Sequence, residues 1–312
     1  MKVLVTCPPM LKKIDEYRDI FIRNNVELIT PDVVQILSED ELVKIVPYVD
    51  GWIIGDDPAT DRVFTAGAKG KLKAAVKWGV GVDNVDFEAC KRNNIPISNT
   101  PGMFGGEVAD LAIAYMLSLA RQTHKIDRAV REGKWIKPSG VSISGKTVAV
   151  IGLGDIGKSV IKRLKGFEVD IHAYDPFLKL TAEELGIKFL GRFPDKIERA
   201  DFIILTCALT KSSYHIINAE TMALMKDGVM LINVARGPLI DELALLNCLN
   251  SGKIGSAALD VFEIEPVEYK NPILSFDQCI FGTHNGSNTK EAVARATNRA
   301  IDILFEYLEI NL

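Results

Sequence analysis

The chain has 312 residues, enough for about two domains at ~150 residues each. An apolar fraction of 47% and a charged fraction of 25% are those expected of a soluble globular protein, and no stretch approaches the ~18 consecutive apolar residues of a membrane span. A net charge of −4 offers no basic field to nucleic acid or a membrane surface, so an anionic ligand needs local positive charge in its pocket.

The N-terminus, M-K-V-L-V-T-C-P-P, has an apolar run too short for a signal peptide and reads as a first strand. Residues 1–98 then alternate short apolar strands (Val3–Thr6, Val26–Ile29, Trp52–Gly55, Ala74–Trp78, Ile95–Ile97) with helical candidates such as Leu11–Arg23 and Asp40–Val46. That alternation predicts a parallel sheet covered on both faces. N-T-P-G at Asn99–Gly102 is turn chemistry and marks a boundary. Val108, Leu111, Ala112, Tyr115, Met116 and Leu119 recur at helical spacing, and the more polar Thr123–Gly140 reads as an arm or connection.

Val148–Asp175 organises the rest: V-A-V-I-G-L-G-D-I-G-K-S-V-I-K-R-L-K-G-F-E-V-D-I-H-A-Y-D. An apolar strand turns on Gly152, Gly154 and Gly157 into a helix, and a second strand ends on Asp175, 18 residues past Gly157. Gly152 permits the tight turn, Gly154 lets the backbone approach a pyrophosphate, and Gly157 lets helix and strand pack closely. The helix N-terminus offers unpaired N–H groups and a positive dipole end to phosphates. Asp175 stands where a carboxylate bonds the ribose hydroxyls of an adenosine. It repels a 2′-phosphate, so NAD is expected rather than NADP. A bare glycine pattern is weak, but here strand, helix, second strand and terminal acid agree.

Beyond Asp175, an acidic helix start is expected at Thr181–Leu185 and strands at Phe202–Thr206, Met230–Val234, Ser256–Leu259 and near Cys279–Phe281, with a helix near Glu242–Leu249. A final helix runs from about Asn288 to Leu308, with Asn288 and Glu291 resembling a capping pair. A glycine turn this deep in the chain predicts a cofactor domain inserted within another domain.

The five cysteines (Cys7, Cys90, Cys207, Cys248, Cys279) are widely spaced and form no C-x-x-C, which argues against a disulfide framework or a metal site. They are expected as buried thiols of a cytoplasmic protein. Three other residues follow late strands, where open α/β sheets bind ligands: Arg236 in I-N-V-A-R-G-P-L-I-D, Glu265 in L-D-V-F-E-I-E-P with Asp260, and His284 in F-G-T-H-N-G-S-N-T. Hydride transfer to a 2-oxo acid needs a planar cation for the carboxylate, which Arg supplies as a bidentate fork. It needs a proton donor for the carbonyl oxygen, which His provides near neutral pH, and a carboxylate beside that His to stabilise the imidazolium and fix its tautomer. Singly, each has a plainer reading: a structural ion pair, a solvated loop acid, a satisfied polar residue. They gain weight together. His124, His172 and His215 are read as satisfied polar residues.

The sequence resembles the D-isomer-specific 2-hydroxyacid dehydrogenases over nearly its whole length. The matching segments are W-G-V-G-V-D-N-V-D (78–86), N-T-P-G (99–102), G-L-G-D-I-G (152–157), I-N-V-A-R-G-P-L-I-D (232–241), L-D-V-F-E-I-E-P (259–266) and H-N-G-S-N-T (284–289). The resemblance is nearest to the 3-phosphoglycerate dehydrogenase-like branch. It implies an α/β fold of two doubly wound parallel-sheet domains, with a Rossmann NAD-binding domain (99–286) inserted into a flavodoxin-like substrate or lid domain (1–98 and 287–312). It implies Arg236 as carboxylate clamp, Glu265 as partner and His284 as acid/base. Backbone at Val80 and Gly81, with Lys77 behind them, is implied for substrate. For the cofactor it implies Gly152, Gly154, Asp155, Ile156, Gly157, Asp175, Cys207 in T-C-A-L-T, Ala235, and Asp260 near the nicotinamide. No metal is expected. A homodimer is implied through an arm around 104–145, where Trp135 reaches a partner's cleft or anchors a surface.

Departures from the family leave the substrate open. The loop G-D-D-P-A-T carries Asp56 and Asp57, whose charges repel a phosphate, while Lys77 retains one cation. Phe104 beside Trp78 and Met103 suggests a more apolar pocket, and Glu107, Thr283 and the T-C-A-L-T loop also differ. No regulatory domain is expected after Leu312. The expected function is an NAD-dependent interconversion of a D-2-hydroxy acid and its 2-oxo acid: 3-phosphoglycerate, or alternatively glyoxylate, hydroxypyruvate or a bulkier 2-oxo acid. A non-catalytic NAD-sensing interaction protein is the rival from another class. A formate-type enzyme is a third option, against which Glu265 argues.

Overall fold

A computed structural model describes residues 1–178 and 184–310. The chain divides into two compact units, Met1–Phe104 with Asn288–Leu312, and Gly105–Ser287, so the second is inserted into the first. No helix among the described residues is long and apolar enough to cross a membrane.

The first unit begins with β1 (Lys2–Val5), α1 (Pro8–Leu11), α2 (Arg18–Arg23), β2 (Glu27–Ile29), α3 (Glu39–Ile45), β3 (Gly51–Ile54), α4 (Asp61–Lys69), β4 (Ala74–Lys77), α5 (Phe87–Arg92) and β5 (Ile97–Asn99). Among the described residues its strands form one parallel sheet in the order β2-β1-β3-β4-β5, the flavodoxin-like order. β3 and β4 are buried at every position, because helices cover both faces and leave no room for polar alternation. Leu4, Trp52, Ile54 and Ala75 pack with Leu42, Val63 and Phe64 on one side.

Two details differ from the sequence expectation. Leu11–Arg23 is not one helix. Pro8 and Pro9 start α1 earlier, a tight 3-10 turn at Ile14–Glu16 follows, and α2 begins at Arg18. This arrangement turns Met10, Ile14, Tyr17 and Phe21 all inward. β5 starts at Ile97 rather than Ile95: Pro96 has no N–H for the ladder, and only its carbonyl takes part, accepting from Ala75 N at 3.0 Å.

The second unit runs α6 (Gly105–Arg121), α7 (Thr123–Arg131), β6 (Thr147–Ile151), α8 (Asp155–Leu164), β7 (Asp170–Tyr174), β8 (Lys188–Phe189), β9 (Phe202–Leu205), α9 (Ala219–Leu224), β10 (Val229–Asn233), α10 (Glu242–Ser251), β11 (Ile254–Leu259) and β12 (Ile280–Phe281). Part of the presumed arm, Thr123–Arg131, is therefore helical. The helix start expected at Thr181–Leu185 lies for the most part outside the described residues. The parallel strands are ordered β12-β11-β10-β9-β6-β7-β8, a Rossmann order with one strand added. The order reverses between β6 and β9, which opens a crevice at their carboxyl ends.

The chain closes on α11 (Lys290–Tyr307), which returns to the first unit. Phe305 meets Phe21 edge-on at 5.4 Å, and Leu304 and Leu308 lie over Gly51. The N-cap is Thr289, not Asn288: its side chain accepts from Ala292 N at 3.1 Å.

Candidate active site

β6 delivers the chain to Gly152, whose φ of +102° suits glycine. A Cβ there would lie 2.5 Å from the Cys207 nitrogen, and one at Gly157 would lie 2.0 Å from the Gly152 carbonyl oxygen. Thr206 locks the turn, its hydroxyl donating to the Gly152 carbonyl at 2.8 Å. Gly154, the residue before α8, differs from these two: among the described residues nothing stands within 4 Å of where its Cβ would be. Among the described residues no side chain caps α8, so the first N–H groups of the helix, from Asp155, Ile156 and Gly157, border that open side. The Asp155 carboxylate itself lies against Gly105 at the start of α6.

Asp175 follows β7. Its Oδ2 accepts from Leu153 N at 2.9 Å, and its Oδ1 accepts from Phe177 N at 2.9 Å and Leu178 N at 3.1 Å. The carboxylate is thus fixed against the glycine turn. An open cradle at Gly154, an uncapped helix end and a fixed acid suit a dinucleotide with a bare ribose. Cys207 packs its backbone on the turn, and burial pushes its thiol up to about 11, so it remains protonated.

Arg236, Glu265 and His284 follow β10, β11 and β12, three adjacent parallel strands. Asn233, which the motif reading does not single out, shapes the Arg236 turn. Its Oδ1 accepts from Ala235 N at 3.0 Å and its Nδ2 donates to the Arg236 carbonyl at 2.8 Å. The guanidinium Nη1 donates to the Ala235 carbonyl at 2.8 Å. Glu265 Oε2 lies 2.8 Å from His284 Nδ1, and its Oε1 accepts from Phe262 N at 2.9 Å. Both side chains are about three-quarters buried, at 22% and 24% exposure, which strengthens their attraction over that of a surface pair. His284 has a left-handed backbone, φ +54°, held by its N–H donating to the Asp260 carbonyl.

Asp260 is buried and occupied. Its Oδ2 accepts from Gly286 N at 2.8 Å and its Oδ1 from the Tyr115 hydroxyl at 3.2 Å. It braces the His284 loop. Burial, together with the negative charge of Asp260, raises the Tyr115 pKa well above its ordinary value.

In the first unit, Val80 and Gly81 follow β4 at the carboxyl edge of the sheet. Thr100 brackets Gly79, and Asn99 Nδ2 donates to the Val80 carbonyl at 2.9 Å. Lys77 is 3% exposed, and its ammonium bonds Asp56 at 3.0 Å and the Trp78 carbonyl at 3.1 Å. Asp57 corrects the sequence reading of two phosphate-repelling carboxylates. It is fully buried, accepting from Leu37 N, Gly55 N and the Thr6 hydroxyl. Trp78 and Phe104, 5.2 Å apart, are buried as packing. Among the described residues no cluster of His, Cys, Asp and Glu could hold a metal ion.

The inserted sheet, its glycine turn and fixed acid define a dinucleotide-binding α/β protein. Residues 113–286 match the family described as D-isomer specific 2-hydroxyacid dehydrogenase, NAD binding domain. A D-3-phosphoglycerate dehydrogenase of Archaeoglobus fulgidus is 38% identical over 295 residues, covering 94% of this chain and 54% of that protein. This chain thus spans about half the length of that relative. A hydroxypyruvate reductase of Thermotoga maritima is 39% identical over 279 residues, 88% of this chain and 90% of that one. The apo structure of D-lactate dehydrogenase from Escherichia coli superposes with a TM-score of 0.84 at 29% identity, covering 99% of this chain and 97% of that one. The chain belongs to the D-isomer-specific 2-hydroxyacid dehydrogenase family, and its cofactor is NAD.

Proposed function

We propose that this chain interconverts a D-2-hydroxy acid and its 2-oxo acid. The observation that carries the reading is the Glu265–His284 hydrogen bond of 2.8 Å, in the same unit as a complete glycine turn. Bound NAD supplies or accepts the hydride. The protein's residues do the rest. The Arg236 guanidinium clamps the substrate carboxylate through its planar fork. His284 gives a proton from Nε2 to the carbonyl oxygen in reduction and takes it back in oxidation. Glu265, on Nδ1, fixes the tautomer and stabilises the imidazolium.

The glycine turn with Asp155, Ile156 and Asp175, and with Cys207, Ala235 and Asp260, is the proposed cofactor surface of the inserted unit. Val80 and Gly81 are the proposed substrate contacts of the first unit. The arm around 104–145 is proposed to pair two copies of the chain.

Two substrate readings stand beside each other: 3-phosphoglycerate with its 2-oxo partner, and a non-phosphorylated acid such as glyoxylate, hydroxypyruvate or a bulkier homologue. The ion pair of buried Lys77 with Asp56 favours the second, because the lysine's charge is already matched inside the unit.

An NADH-oxidation panel tests the function. It takes 3-phosphohydroxypyruvate, hydroxypyruvate, glyoxylate, pyruvate and branched and aromatic 2-oxo acids. Steady oxidation with at least one is expected. Tight NADH binding with no turnover on any of them would favour the NAD-sensing interaction protein instead.

A further inference from the structure

The segment after β11 carries two glutamates, two residues apart, and each bonds a different imidazole. Glu265 holds His284, and Glu263 Oε1 lies 2.7 Å from His215 Nε2. His215 comes from the loop after β9, where its ring stacks on Tyr214 at 4.0 Å. Its backbone N–H donates at 2.9 Å to the carbonyl of Pro238, two residues after Arg236. The same loop continues into a parallel bridge between Ile217 and Ile240. The Arg236 turn meets the Glu263 segment directly: a Cβ on Gly237 would come within 1.9 Å of the Phe262 backbone. Three loops, from three adjacent strands, are therefore fastened at one point.

We propose that His215 and Glu263 are a positioning pair for the proposed site. Neither touches substrate in this scheme. His215 acts on Arg236 through the Pro238 carbonyl, and Glu263 acts on Glu265 through the short segment they share. The inference rests on the roles given above to Arg236, Glu265 and His284.

The charged groups facing the pair come from α10 as well as from the loops. Glu263 Oε1 also accepts from Glu242 N at 3.3 Å, and Glu263 N donates to Glu242 Oε2 at 3.5 Å. Glu242 Oε1 accepts from Asn271 Nδ2 at 2.6 Å, and Asp241 caps α10 through Ala244 N. Glu263 thus meets the imidazole on one side and the start of α10 on the other. At His284, Glu265 bonds the imidazole, and the Asp260 carbonyl accepts from the main-chain N–H.

The test uses His215→Asn, Glu263→Ala and Glu263→Gln in the full chain, with the best 2-oxo acid of the panel. Asn suits the left-handed backbone at 215, φ +49°, but is too short to reach Glu263. In His215→Asn and Glu263→Ala, kcat/KM is expected to fall by about tenfold or more, as for a misplaced catalytic group, with NADH affinity within about twofold of wild type. The fall of reduction rate with rising pH should begin at lower pH, because a loosened Glu265 stabilises the His284 imidazolium less. Glu263→Gln keeps a hydrogen-bond acceptor and should recover most of the rate.

Wild-type kinetics and pH profile in both His215→Asn and Glu263→Ala would overturn the proposal. So would a loss that tracks melting temperature alone, with an unmoved profile and no rescue by Gln. If His215→Asn does not fold, the Glu263 pair decides by the same criteria. Full activity in His284→Ala, measured alongside, would sink the function reading and this inference with it. Activity lost in His284→Ala but intact in the His215 and Glu263 variants sinks the positioning role alone.

Discussion

The backbone N–H of His284 donates to the Asp260 carbonyl at 2.6 Å, while the Asp260 carboxylate holds Gly286 N at 2.8 Å. One buried residue thus grips both sides of the proposed acid/base. Asp260→Ala would leave the Gly286 N–H without its acceptor inside the fold, which costs about 1–3 kcal/mol. Urea unfolding should register that loss, with turnover falling alongside. Asp260→Asn retains an acceptor for Gly286 and should unfold nearer to wild type. Equal stability of the Ala variant and wild type would mean the brace contributes nothing.

Asp175 should govern the choice between NADH and NADPH. A carboxylate and a 2′-phosphate about 4 Å apart repel by about 1 kcal/mol in water and about 4 kcal/mol near a protein surface. Asp175→Asn keeps an oxygen for the Leu153, Phe177 or Leu178 amides but removes the charge. The ratio of kcat/KM for NADH over NADPH should therefore drop by about tenfold or more. An unchanged ratio would assign Asp175 to holding the turn alone.

Asp57 predicts an unusual pH dependence of stability. Burial raises its pKa above the ordinary carboxylate value, opposed by hydrogen bonds from Leu37 N, the Thr6 hydroxyl and Gly55 N. Between the unfolded value and the raised folded value, the folded chain binds more protons than the unfolded one. This group's contribution to stability therefore falls as pH rises through that window, and above it a constant penalty remains. Asp57→Asn removes the titration. The unfolding free energy of wild type minus that of the variant should be larger near pH 4 than near pH 7. The opposite slope would show that the three donors outweigh burial.

The succession of strands and helices along the chain and the glycine turn are legible in the sequence because both are local: periodicity and a six-residue pattern. Arg236, Glu265 and His284 sit in short motifs at strand ends, so they too can be picked out by spacing. Their neighbours cannot. Asp57 looks like a second loop carboxylate beside Asp56, and only the packing of Thr6 and Leu37, 51 and 20 residues away, turns it inward. His215 reads as a satisfied polar residue, and it is satisfied. Yet its partner lies 48 residues on, and nothing in either local stretch announces the pair. The break in Leu11–Arg23 and the cap at Thr289 depend on which face docks onto the sheet, a property of the packed unit rather than of the segment.

The most direct measurement of the central claim is His284→Ala, with NADH affinity and steady-state turnover on the same preparation. Affinity for NADH near wild type, with turnover reduced by a factor on the order of 10² or more, is the predicted result. Turnover equal to wild type would remove His284 from the chemistry and contradict the account.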